Sequence, residues 1–345
     1  MPPVNASNEA MRCPLVSPIG RISSAPLSST LIYRAASVPR RARYGIEQNN
    51  YGALLPRYPF LSERKNPVDE VKMHTPVISH AASNWNSHQL AHILTHCFEG
   101  YLVPFNIDGD TFATRFSAED ISLNDSKVWL QDGEPKALAA IVRRGQTSRL
   151  AAFAIRPELR GQGYGKRFIQ QLIDEAQARG DRQMWLEVIV GNDSALALYK
   201  RMGFVCQQTL VGFHATGSTL FRPTGELLEI DPLLMAKKMM TDSRLRLPWL
   251  SAPETLYKLP GKAYVLDDVA YAMVVPNAQQ PKLRMLYVDT ATRGKGYAKK
   301  LLTLLHERFP GLSTAGSIPE QVAPLYLSCG YRQDPVTQYE MLLKF

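Results

Sequence analysis

Between Arg149 and Phe204 the spacing of apolar residues changes period twice. Leu150 to Ile155 is an unbroken run of aliphatic, small and aromatic residues, the composition of a buried strand. Pro157 ends the run, because proline has no backbone donor for a sheet ladder. Phe168, Ile169, Leu172, Ile173 and Ala176 then recur at helical spacing, with Arg167, Gln170, Gln171, Asp174 and Glu175 between them. This predicts an amphipathic helix, closed by Gly180. Trp185 to Val190 reads as a second apolar strand, and Asn192 to Phe204 as a short helix running into a Gly-Phe turn.

The first strand and the first helix are joined by Arg160-Gly161-Gln162-Gly163-Tyr164-Gly165-Lys166. Three glycines in five residues let the backbone curl tightly and approach a ligand closely. The first N–H groups of the helix have no partner within it, and the helix dipole is positive at that end. Such a turn can hold an anion of pyrophosphate size, although glycine-rich turns also occur as purely structural elements. A P-loop is excluded, since no Gly-Lys-Ser/Thr follows. A dinucleotide loop is disfavoured, because the glycines are spaced G-x-G-x-G and the nearest acid, Glu187, lies mid-strand.

The order of strand, R-x-x-G-x-G, helix, Leu186-Glu187-Val188, then N-x-x-A-x-x-x-Y-x-x-x-G-F from Asn192 to Phe204 resembles the GNAT-type N-acetyltransferases. Within them it is most similar to the ribosomal-protein N-terminal-alanine acetyltransferases. The resemblance covers the acetyl-CoA-binding core. It implies that the backbone of the loop from Arg160 to Lys166 grips the pyrophosphate; Arg160, Lys166 and Arg167 are each either a charge-assisted contact to it or a solvated surface charge. It implies that Phe153, Ala154 and Ile155 pair with the pantetheine arm and polarise the carbonyl. Glu187 is implied as general base, Tyr199 as general acid, and Asn192 as a cofactor contact. Read from the residues alone, Glu187 is equally a strand charge and Tyr199 a core aromatic.

Around this core, Pro76 to Ser79 reads as a strand, Ser87 to Phe105 as a helix and Phe112 to Ile121 as a second helix. The resemblance places those two helices at the acceptor pocket, with Phe105, Phe112 and Phe116 as candidates, although core packing is the commoner role for any one of them. His88, His92 and His96 share the helix face opposite the apolar stripe, so a metal is not expected there. Lys127 to Gln131, Asp132-Gly133 and Ala137 to Arg143 form a hairpin signature, and Val205 to Phe213 a closing strand.

The pattern then repeats. Leu283 to Val288 is a strand, Arg293-Gly-Lys-Gly-Tyr-Ala298 a second loop, Tyr297 to Phe309 a helix, and Tyr326 stands where Tyr199 stood. Asp231 to Asp242 reads as its first helix and Ala263 to Val275 as its strands. In this copy Thr314 replaces Glu187 and Pro319 replaces Asn192, so it is expected to be non-catalytic. The fold expected is α/β (α+β): two tandem GNAT-type acyl-CoA N-acyltransferase folds, each a mixed sheet flanked by helices. The first spans 73–220, the second 221–345, behind a disordered or targeting extension over 1–72.

Charge adds one correction to this picture. The net +9 is concentrated in residues 1–72, which carry ten Lys/Arg against five Asp/Glu, so the basic pI does not indicate a nucleic-acid partner. That segment is rich in Ser, Pro, Ala and Arg and is expected to be dispensable for catalysis. Cys13, Cys97, Cys206 and Cys329 are far apart, which argues against a disulfide framework and for a reducing compartment. No run reaches the length of a membrane helix. A cytoplasmic location is expected, or an organelle matrix if 1–72 is a transit peptide. The implied reaction takes acetyl-CoA as donor co-substrate, without metal, to a primary amine on a small molecule or a peptide N-terminus. The competing reading is a non-catalytic acyl-CoA-binding regulatory module.

Overall fold

The computed structural model describes residues 75–216, 224–242, 245–276 and 280–345. The expected extension over 1–72 and the expected join at 220 lie outside the described residues. The first half gives β1 (Ile78–Ala81), α1 (Ser87–Cys97), α2 (Gly109–Ala118), β2 (Lys127–Gln131), β3 (Glu134–Arg144), β4 (Thr147–Ile155), α3 (Tyr164–Ala178), β5 (Gln183–Ile189), α4 (Asp193–Arg201), β6 (Val205–Val211) and β7 (Phe213–Ala215). The second half gives β8 (Leu228–Ile230), α5 (Pro232–Met240), α6 (Pro253–Leu256), β9 (Lys262–Leu266), β10 (Ala270–Val275), β11 (Lys282–Val288), α7 (Tyr297–Arg308), β12 (Ser313–Thr314), β13 (Ile318–Pro319), α8 (Ala323–Ser328), β14 (Tyr331–Gln333) and β15 (Gln338–Lys344).

The first sheet is sandwiched between two helix layers. On one face α3 lays down Phe168, Ile169, Leu172, Ile173 and Ala176, all buried, against Trp129, Leu186 and Met341. Trp129 and Phe168 stack with ring centroids 4.3 Å apart. On the other face Leu90 and Leu94 of α1 and Phe112 and Phe116 of α2 pack on Val128, Leu138 and Ala140. Phe112 and Phe116 are therefore core residues rather than pocket residues. The turn at Asp132-Gly133 has positive φ at both positions, 55° and 78°, as a two-residue hairpin requires.

Helix α1 is shorter than its apolar stripe predicts. Asn86 caps its start, with Gln89 closing a capping box, but it ends at Cys97 rather than Phe105. Gly100 adopts φ +67°, and Pro104 has no donor for a continuing helix. Residues 98–108 are consequently a loop, and α2 starts earlier than expected, behind an Asp108 cap.

The two copies exchange strands. The first sheet runs β1-β2-β3-β4-β5-β15-β6-β13 and the second β14-β7-β12-β11-β10-β9-β8. The gap between β5 and β6 is filled by β15 from the second copy, paired antiparallel with both neighbours. Reciprocally, β7 from the first half lies between β12 and β14. The expected closing strand Val205 to Phe213 is thus two strands in two sheets, divided at Gly212. A Cβ at Gly212 would lie 2.5 Å from an Asp334 carboxylate oxygen, so any larger residue at the crossing would displace that carboxylate. Asp334 itself accepts from His214 Nδ1 at 2.7 Å, if that nitrogen carries the proton.

One ion cluster pins the base of the first sheet. Asp181 accepts from Arg143 Nη2 at 2.7 Å and from Arg179 Nη2 at 3.1 Å. Burial works to raise its pKa, but the charge-assisted hydrogen bonds from Arg143 and Arg179 prevail and hold it below the ordinary range. A carboxyl with a depressed folded pKa contributes stability above its unfolded value, about 3.9, and loses it as pH falls through the folded one. The urea midpoint is therefore expected to drop below about pH 4. In Asp181→Asn the part of that drop due to this residue should disappear.

Candidate active site

The cleft originates in an irregularity of β4. Ala140 pairs with Ala152 and Ile141 with Leu150, leaving Ala151 as an extra, bulged residue. The parallel pairing of β4 with β5 stops at Leu150–Leu186. Beyond that point the strands part, while β4 stays paired with β3 as far as Ile155. The edge of β4 facing β5 thus keeps backbone groups with no strand partner. A cleft of about 700 Å³ opens there, lined on one wall by Phe153, Ala154 and Ile155 and on the other by Glu187, Val188 and Ile189.

At the helix end of the cleft, Gly161 and Gly163 have φ of +75° and +83°. A Cβ at either would meet nothing within 4 Å, so the space above the turn is open. Both line the cleft, as do Gly165 and Lys166. Gly165 serves packing: its Cβ would stand 3.2 Å from Leu198 Cδ2. Helix α3 starts from Gly163 without a side-chain cap, leaving its first N–H groups toward the opening. Lys166 is exposed and has no ion pair among the described residues. This end of the cleft fits an anionic donor such as the diphosphate of acetyl-CoA.

Arg160 lines the cleft and also has a structural task. Its Nε donates to Ile155 O at 2.8 Å, and its Nη2 to Glu99 O at 2.7 Å and Cys97 O at 3.0 Å. Its backbone N–H is taken by Pro157 O. The guanidinium bolts the end of β4 to the end of α1. In the second copy Arg293 Nε donates to Val288 O at 3.0 Å, the same tie. Gln162 and Tyr164 turn away from the cleft. Gln162 Nε2 donates to Glu158 O, and Tyr164 packs 5.6 Å from Phe168.

Deeper in the cleft, Asn192 caps α4 by accepting from Ala195 N at 3.3 Å and donates through Nδ2 to the Tyr101 hydroxyl at 3.3 Å. The cap fixes the helix that presents Tyr199 to the cleft. Tyr199 is 7% exposed, and its ring lies 5.9 Å from Phe204. Burial, and then the neighbouring Tyr101, push its phenol above the ordinary tyrosine range, so it is a proton donor throughout the neutral region.

Glu187 is part of a network that the strand pattern did not reveal. Arg149 Nε donates to both of its oxygens, at 2.9 and 2.8 Å, and Nη2 approaches Oε2 at 2.6 Å. Arg149 Nη1 also donates to Glu119 Oε2 at 2.7 Å, and Arg115 Nε to Glu119 Oε1 at 3.0 Å. Arg149 and Glu119 are each 2% exposed. Burial opposes the charge on Glu119, but Arg115 and Arg149 hold its pKa below the carboxylate norm. Arg115, Tyr101 and Gln338 line the cleft as well, and none was singled out from sequence. Gly100 and Pro104 were the available signal for Tyr101, since they turn a predicted helix into a cleft-side loop. In the second copy, Thr314 is buried and its hydroxyl accepts from Phe213 N at 2.8 Å, so the position that corresponds to Glu187 carries no acid.

A mixed sheet that parts beside an open glycine turn, with a phenol and a carboxylate in the gap, defines an acyl-CoA-dependent N-acyltransferase architecture. Comparison with known proteins agrees. The model of the Acetyltransferase (GNAT) family matches residues 88–204, and that of the Acetyltransferase (GNAT) domain matches residues 260–333. The [Ribosomal protein bS18]-alanine N-acetyltransferase of Escherichia coli K12 is 30% identical over 105 residues, 29% of this chain and 71% of that protein. Two solved structures share the fold over both halves. The GCN5-related N-acetyltransferase of Sphaerobacter thermophilus has a TM-score of 0.54 at 19% identity, covering 78% of this chain and 96% of that one. A tandem GNAT protein from the clavulanic acid biosynthesis pathway has a TM-score of 0.53 at 11% identity, covering 78% and 98%. The chain belongs to the GNAT acetyltransferase family and carries its fold twice in tandem. Among the described residues no helix is long and apolar enough to cross a membrane, and no group of three or more His, Cys, Asp or Glu could hold a metal.

Proposed function

We propose that the first copy transfers the acetyl group of acetyl-CoA to a primary amine by direct attack, with a peptide α-amine as the first acceptor to test. The carrying observation is one continuous cleft that joins the open turn at Gly161 and Gly163, the unpaired edge of β4, Tyr199 and Glu187. The turn would take the diphosphate, and the β4 edge the pantetheine amides. A β4 backbone N–H would polarise the thioester carbonyl. The Glu187 carboxylate faces the position where an ammonium would enter and draws off its proton. The neutral nitrogen then attacks the carbonyl carbon, and the C–S bond breaks. Tyr199 gives its proton to the departing thiolate and regains one from the new amide nitrogen. The names of the bacterial relative and of the N-alpha-acetyltransferase 30 of Schizosaccharomyces pombe support a peptide N-terminus. The second copy, with Thr314 and Pro319 where the acid and the cap would be, shapes the first and is not itself a catalyst.

Release of free thiol from acetyl-CoA tests the reading, using an alanine-starting peptide, a polyamine and a free amino acid in turn. Amine-dependent release with the peptide is expected. Release no faster with any amine than in its absence would sink the transferase reading. Gly163→Ala probes the donor end. At φ +83° an alanine is strained by about 1–2 kcal/mol. The variant should melt earlier and show a raised KM for acetyl-CoA, with kcat changed less.

A further inference from the structure

The steps above leave one buried acid unused. Glu340 lies on β15, the strand that the second copy inserts into the first sheet, and is 5% exposed. It is paired directly with Glu187 on β5 and with Gln208 on β6. Directly opposed residues of an antiparallel pair project from the same face, with Cβ atoms about 4.5–5.5 Å apart. Gln338, two residues earlier on that face, lines the cleft. Two residues of strand place Glu340 about 7 Å behind that wall.

Charges along this row do not balance at Glu340. Arg115 and Arg149 pair off against Glu119 and Glu187, and the half-buried Arg284 of β11 lies toward Glu119 and Arg115 and is not among the charges that act on Glu340. Glu340 receives only the neutral amide of Gln208, Nε2 to Oε2 at 2.7 Å, and has no ion pair among the described residues. A buried carboxylate without a cation of its own accepts a proton more readily than an exposed one, so at rest the pair is open to a proton that arrives with the substrate. Burial foremost, and the charge of Glu187, raise its pKa against the opposing effects of the Gln208 hydrogen bond and of Arg149.

We propose that the second copy takes part in the first copy's reaction through Glu340, which shares one proton with Glu187 across the β5–β15 seam, so that the pair rather than Glu187 alone receives the proton of the amine. The inference rests on the transferase reading above. Both Glu187 oxygens are engaged by Arg149, so a proton placed on Glu187 alone disrupts a charge-assisted contact. In the pair, Glu187 meets the ammonium and Glu340 stores the proton. An N–H bond of the ammonium breaks, its electron pair stays on nitrogen, and the pair holds the proton until it passes to water after turnover. Glu340 acts through Glu187 and is a positioning residue.

The test uses the full chain, acetyl-CoA and an alanine-starting peptide, with kcat/KM followed across pH. Glu340→Gln keeps the volume and the oxygen that Gln208 donates to. It is expected to lower kcat/KM at neutral pH by at least about tenfold. The acid limb should move to lower pH, since the carboxyl whose pKa burial raises is gone, while the KM for acetyl-CoA stays within about twofold. Glu340→Asp should recover part of the rate. A second measurement needs no variant: carbon-detected NMR of glutamate carboxyls in the wild-type protein should show one member of the pair titrating above the ordinary value of about 4.3. A Glu340→Gln profile that overlays the wild type, or a Glu340 carboxyl titrating at or below the ordinary value, overturns the inference and leaves the transferase reading standing. A wild-type chain that acetylates no amine overturns both.

Discussion

Replacing Tyr199 with phenylalanine is expected to cut kcat by about 10²–10⁴-fold while leaving the fold intact. The ring remains against Phe204, and the hydroxyl that is lost has no hydrogen-bond partner among the described residues. Thermal unfolding of Tyr199→Phe should therefore match the wild type. Loss of the proton donor bears on departure of the thiolate, so a donor with a more acidic leaving thiol should lose less rate than acetyl-CoA does. A loss below about threefold with acetyl-CoA would show that Tyr199 is a packing aromatic, the alternative its burial allows.

The second large effect is on stability. Arg149→Met removes the cation that joins Glu119 to Glu187 and leaves two carboxylates buried against each other's charge. Breaking a buried pair in this way costs about 3–5 kcal/mol, and the upper end is not expected here, because Glu119 keeps Arg115 and only Glu187 is left without a cation. The deficit should shrink as pH falls from 7 toward 5. Without the arginine the carboxyl that has lost its cation accepts a proton more readily when folded than when unfolded, so the variant gains stability on acidification relative to the wild type. Removing the charges together, as Glu119→Gln with Glu187→Gln and Arg149→Met, should recover most of the loss. Chemical denaturation of the single and triple variants reads this directly. An Arg149→Met protein as stable as wild type at neutral pH would mean that the network contributes no net stability.

Sequence periodicity was a good guide to local structure and a poor one to partnership. The buried face of α3 falls on the five residues that its spacing named, because a helix pattern depends only on its own 3.6 period. The place of β15 was not legible. Its run of apolar residues marks a strand but carries no record of which neighbours it will pair with. The network at Glu187 escaped for a related reason. Arg149 borders an apolar run, and its acid partners come from α2 and β5, far away in sequence. Arg160 has a second task that its place in the turn did not suggest: Nε and Nη2 donate to the carbonyls of Cys97, Glu99 and Ile155, while the residue still lines the cleft. The glycine turn itself was legible, since positive φ is a demand that the residue type answers directly.

The reciprocal exchange of strands sets a schedule for biosynthesis. Strand 338–344 leaves the ribosome roughly 130 residues after strand 205–211, a delay on the order of ten seconds at ordinary elongation rates. Throughout that interval the nascent first sheet exposes two raw edges, the kind of surface that recruits chaperones or sticks to neighbouring chains. A gene split between the copies should therefore yield two insoluble fragments when they are made separately, and a soluble, working heterodimer when they are made together.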